Sequence, residues 1–120
     1  MKINATSIRI SGINIVNLEP FSNKGMNSTM SHNISHPTDN ESCVCTSIVN
    51  IVREDENDNA QKTFLVSITV TSAFTIEGYA DDQEELQHMT IREVFPHLRS
   101  AVSSSMAIAG IEPLFLSSPL

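Results

Sequence analysis

Residues 64–78, FLVSITVTSAFTIEG, decide how this chain is read. Phe64, Val66, Ile68, Val70, Phe74 and Ile76 share one parity, while Ser67, Thr69, Thr71, Thr75 and Glu77 share the other. A period of two is that of a strand with one packed face and one semi-polar face. Upstream, Val44 to Val52 is a second β-branched run, and the polar stretch REDENDNAQK between the two reads as a solvent-facing turn. Together the runs predict a β-hairpin.

Towards the start of the chain, IRISGINIVNL (8–18) mixes β-branched residues with period-two stretches, and Gly12 interrupts it where the pattern changes face. This predicts a bulged or bent first strand. Pro20 ends it, because proline lacks the amide donor that a ladder needs. From 22 to 42 the composition turns to Asn, Ser, His, Gly and Pro around isolated Met26, Met30 and Ile34, so burial repays little ordering. The stretch reads as a loop or irregular edge segment, with room for one short, poor strand.

Downstream, Gly78 closes the second arm of the hairpin. Asp81 and Asp82 then open DDQEELQHM (81–89), where unpaired helix amides favour negative charge, so a short helix is expected. Thr90 and Glu93 have capping-box spacing, and Ile91, Val94 or Phe95, Leu98, Val102, Met106 and Ala109 recur at helical period. This stripe predicts a main helix packed on the sheet. Pro96 either kinks that helix or marks its true beginning. Gly110 is a natural C-cap, and IEPLFLSSPL (111–120) reads as an extended apolar tail lying against the body. The expected fold is α+β: an antiparallel sheet of three or four strands against a long C-terminal helix, in one domain spanning 1–120.

Composition narrows the function. A 120-residue chain with 40% apolar side chains, no Trp and one Tyr supports one modest core, which makes completion by a second subunit, and hence a homo-oligomer (dimer or tetramer), an expectation. A net charge of -7 opposes phosphate backbones and anionic lipid, so nucleic acid is not an expected partner. No stretch has the pattern of a signal peptide or the roughly 20 apolar residues of a membrane span, so a cytoplasmic location without membrane insertion is expected.

Cys43 and Cys45 alternate within a strand pattern and project to one face, where reduced thiols are expected. With His32 and His36 they supply the residue types of a zinc site. A one-residue gap is nevertheless wrong for the usual knuckle, and buried thiols are the preferred reading, with no metal or other cofactor. Catalysis requires a nucleophile, a base and an orienting group in a cleft. His88 and His97 are isolated, Ser103 to Ser105 sit in a helical pattern, and the glycines form no phosphate loop, so no enzyme activity is expected.

In order and spacing, these segments resemble the SecB export chaperone family. The carriers are IRISGINIVNLEP at the first strand, the hairpin arm FLVSITVTSAFTIEG, Phe95-Pro96-His97-Leu98-Arg99 in the main helix, and Gly110-Ile111-Glu112-Pro113-Leu114 after it. They cover about two thirds of the chain. Three features depart from the family's pattern: 22–42 lacks the alternation of a second strand, the chain stops at Leu120, and His97 replaces an aromatic residue.

The resemblance implies a four-stranded subunit assembled as a dimer of dimers, with ATP-independent holding of non-native polypeptides in an apolar groove. The clients would be proteins for export or a dedicated client such as an antitoxin. Phe64, Phe74, Phe95, Leu98, Val102 and Phe115 are the client-binding candidates, against the simpler alternative that they fill the core. Phe95 and Phe115 fall near chain irregularities and are the better candidates for a groove rim. Glu19, Glu54, Asp55, Glu56 and Asp58 lie nearest to the acidic positions that receive the cationic tail of the translocation motor ATPase in that family. Their simpler reading is as solvated turn charges. A SecB-fold assembly or regulatory subunit without general chaperone activity is the alternative function.

Overall fold

A computed structural model describes residues 1–15, 26–35, 41–54 and 62–108. Four strands and one helix follow in the order β1 (Lys2–Ile15), β2 (Met26–Ile34), β3 (Ser42–Glu54), β4 (Lys62–Glu77) and α1 (Gln83–Ile108). The strands form one antiparallel sheet in the order β1-β4-β3-β2, so β1 and β2 are its edges. The helix lies across one face. This is the α+β architecture expected from the hairpin and the helical stripe.

The hairpin of β3 and β4 is the centre of the sheet. Val66, Ile68, Val70, Phe74 and Ile76 of β4 are buried, as are Cys43, Cys45, Val49 and Ile51 of β3, and α1 covers both rows. The opposite sheet face carries Ser67, Thr69 and Thr71, tied across strands by Ser67 Oγ to Asn50 Oδ1 at 2.8 Å and by a Ser11–Thr71 hydroxyl pair at 2.7 Å. One face packs and the other hydrogen-bonds, as the alternation predicts.

Three expectations need correction. Within 22–42, residues 26–34 form a regular edge strand paired with β3 without a bulge, and Ser35 closes the hairpin through Ser35 N to Val44 O and Val44 N to Ser35 Oγ, both 2.9 Å. The edge position stands, but the loop reading fails because backbone pairing and one buried residue, His32, replace the missing apolar alternation.

The short helix and the main helix are one 26-residue element. Its N-cap is Asp82, whose Oδ1 accepts from Glu85 N at 3.1 Å. Thr90 is not a cap; it is buried inside the helix, and its hydroxyl donates back to the Leu86 carbonyl at 2.9 Å. Pro96 lies within the helix on its exposed side, so it does not mark the start. The chain enters the helix through Gly78 (φ 70°) and Asp81 (φ 60°), two of the residue types that tolerate left-handed backbone.

Candidate functional site

Strand β1 pairs with β4 through two irregularities, between Ala5 and Ser7 and between Ile10 and Gly12. Each shifts the alternation by one residue. Ile3 and Ala5, then Ile8 and Ile10, then Ile13 and Ile15 consequently stand opposite Ile76, Phe74, Ser72, Val70, Ile68 and Val66, all on the helix-bearing face. A strand with unbroken alternation would have turned Ile8 and Ile10 to the side opposite Ile3, Ile13 and Ile15. The bulge at Gly12 is the face change expected from the sequence.

Helix α1 lies chiefly over β4, with β1 its next neighbour, and it leaves part of β1 uncovered. Ile10 is 49% exposed and Ile13 52% exposed, although both belong to the core-facing row. Between this row and the second half of α1 runs an open groove of about 400 Å³. Ile8, Arg9, Ile10 and Ile13 form one wall, Val70 contributes to the floor, and Ala101 and Ile108 belong to the opposite wall, where Ser100, Ser104 and Ser105 keep the helix surface low. His97 also lines the groove from α1, so the position where an aromatic was expected faces the cavity. Ile108, at the end of the helix, is 81% exposed.

Four of the residues expected to bind a client lie in the core. Phe74, Leu98 and Val102 are almost wholly buried in the core, and Phe95 is 6% exposed with the Arg99 guanidinium 4.8 Å above its ring. None of these four lines the groove, and all four belong to the core cluster. Phe64 and Glu54 lie in β4 and β3 by backbone, with side chains outside the described residues. Phe115, Glu19, Asp55, Glu56 and Asp58 lie outside the described residues altogether.

A second polar feature sits at the other edge. His32 of β2 points under the helix, with Nδ1 2.6 Å from Ser47 Oγ and Nε2 2.9 Å from Thr90 Oγ1. Burial lowers its pKa from the ordinary 6.5. Cys43 and Cys45 are free thiols on the same sheet face. Burial first, then the neighbouring Cys45, pushes Cys43 up to about 12, and burial also raises Cys45. Among the described residues no three His, Cys, Asp or Glu side chains come together to hold a metal ion, and no helix is long and apolar enough to cross a membrane.

No family model matches the chain, and no curated protein matches its sequence. Solved structures do match its shape. The Mycobacterium tuberculosis Rv1957 SecB-like chaperone, in complex with a ChAD peptide from the Rv1956 HigA1 antitoxin, superposes with a TM-score of 0.61 at 14% identity, over 96% of this chain and 88% of that one. The fold is SecB-like. A protein of unknown function from Streptococcus agalactiae superposes with a TM-score of 0.53 at 11% identity, over 98% of each chain. At such identities the likeness concerns the fold, so the groove has to be judged on its own chemistry.

Proposed function

We propose that this chain is an ATP-independent holding chaperone that binds non-native polypeptides along the groove between β1 and α1. The observation that carries the reading is the surface of exposed Ile10, Ile13 and Ile108 with half-buried Ile8 on an edge strand of a SecB-like fold. An unfolded segment offers apolar side chains and unpaired backbone groups. The groove accepts the first, and the free edge of β1 pairs with the second. Apolar contact with little directional demand also suits clients of varied sequence.

A dedicated client is the second reading, favoured by the antitoxin peptide held by the matched SecB-like chaperone. Delivery to a translocation motor through the acidic residues Glu19, Glu54, Asp55, Glu56 and Asp58 is a further possibility within the first reading, and salt would weaken it. The same apolar face serves self-association into a dimer or tetramer. A regulatory or assembly subunit without chaperone activity is what remains if holding fails.

The test is light scattering of a chemically denatured client without nucleotide, with native mass measured in parallel. Suppression at near-stoichiometric amounts supports holding. A result equal to that of an unrelated acidic protein sinks it and leaves specific binding or assembly.

A further inference from the structure

We propose that His32 is a proton-sensitive latch holding the edge strand β2 to helix α1, and that its protonation releases β2 from the rest of the sheet. The Thr90 hydroxyl has one proton, which it gives to the backbone carbonyls of Leu86 or Gln87 at 2.9 and 3.1 Å. Towards His32 it therefore acts as an acceptor, and Nε2 must carry the proton. In the neutral ring Nδ1 is then the acceptor of the Ser47 hydroxyl proton. Each group is used once, and three elements are joined through one ring: β2 by His32, β3 by Ser47 and α1 by Thr90.

A second proton on the ring would sit on Nδ1, where Ser47 Oγ could accept it only by rotating its own proton off the ring and giving up that acceptor, and the positive charge would lie in a site that is 9% exposed. Among the described residues the surroundings offer no compensating charge. On β2 the same-face neighbours are Met30 and Ile34, and on β3 they are Ser47 and the neutral thiols of Cys43 and Cys45. The β4 residues on that face, from Val66 to Ile76, carry no ionisable group, and α1 presents Leu86, Thr90 and Val94. Glu93, one turn beyond Thr90, is exposed to solvent. Burial accordingly lowers the ring's affinity for a proton.

Strand β2 is the element to yield. It is an edge strand, its outward residues Asn27, Thr29, Ser31 and Asn33 are polar, and of its described side chains His32 alone is buried. Its departure uncovers Met30, Ile34 and the neighbouring edge of β3. This conformational device is independent of the chaperone reading.

Amide hydrogen exchange on the whole chain, corrected for intrinsic rate, tests it between pH 7.5 and 5. Protection at 28–34 is expected to fall about tenfold per pH unit below 6.5, until the latched ring itself protonates, while β4 amides keep theirs. In His32→Gln the β2 protection should no longer change with pH. If that variant does not fold, imidazole nitrogen NMR of the wild type must show the Nε2–H neutral tautomer and a ring titration that tracks the loss of protection. Unchanged β2 protection, a fall shared with β4, or the same fall in His32→Gln would overturn the proposal.

Discussion

Ile10 stands directly opposite Val70 in the β1–β4 ladder, yet Val70 is fully buried and Ile10 is 49% exposed. The helix covers one member of the pair and leaves the other at the rim of the groove. Binding surface and core are therefore neighbours on a single sheet face, and substitutions should separate them.

At the rim, the double substitution Ile10→Ser, Ile13→Ser removes apolar surface that folding has only half buried. Unfolding free energy should fall by no more than about 1–2 kcal/mol, while suppression of client aggregation should be largely lost. Paired urea titration and light scattering check this. Retained suppression would place the client elsewhere.

In the core, Leu98→Ala should cost about 2–5 kcal/mol, because Leu98 is wholly buried and a cavity would remain under the helix. Any loss of client binding should track unfolding, so binding measured at a temperature where the variant is folded should equal that of the wild type. Weaker binding by the folded variant would return Leu98 to the client surface.

Replacing Thr90 by Val leaves His32 Nε2–H without its acceptor and should cost about 1–3 kcal/mol, whereas Thr90→Ser keeps the oxygen and should cost less. The wild type carries the matching pH dependence. A folded-state His pKa below 6.5 means that the ring's contribution is fully present above 6.5 and is lost as pH falls towards the lowered value. Urea midpoints between pH 7.5 and 5 read both effects, and a ring contribution that grows on acidification would contradict the assignment.

The thiols should be inert in the folded state. Burial holds both Cys43 and Cys45 protonated at neutral pH, so iodoacetamide at pH 8 should label neither until denaturant is added. Intact mass gives the answer, and rapid labelling of the native protein would contradict the burial.

Two glycines separate backbone need from space. Gly78 has φ 70°, so Gly78→Ala should cost about 1–2 kcal/mol. At Gly12 an added Cβ would meet Thr69 at 3.6 Å, an ordinary contact, and Gly12→Ala should change stability by less than about 0.5 kcal/mol. Thermal unfolding of the two variants distinguishes them, and equal losses would mean that the bulge at Gly12 needs glycine.

The hairpin, the helical stripe and the bulge at Gly12 were legible because alternation and periodicity are local properties. Strand β2 was not, since its order comes from pairing with β3 and from His32, whose partners lie 15 and 58 residues away. Thr90 carried a capping signal that tertiary packing overrode: Asp82, eight positions earlier, takes the cap, and Thr90 turns inward to His32. Phe74, Phe95, Leu98 and Val102 were expected at an apolar surface between helix, hairpin and tail, and apolar side chains at helical or strand period are the ones that a core takes first. The run of isoleucines in β1, read only as a strand from sequence, is the local signal that the groove leaves in the chain. Ile8, Ile10, Ile13 and Ile15 are more apolar than an edge strand requires for packing alone, and their common face follows once both bulges are placed.

Site-specific photocrosslinking measures the groove directly. A photoreactive residue is placed at Ile13, in the groove, or at Thr46, on the opposite sheet face, and each protein is irradiated with a denatured client. Crosslinks concentrated at position 13 and displaced by excess unlabelled client are the predicted result. Equal crosslinking at both positions, or crosslinking at 46 alone, would contradict the groove as the client site.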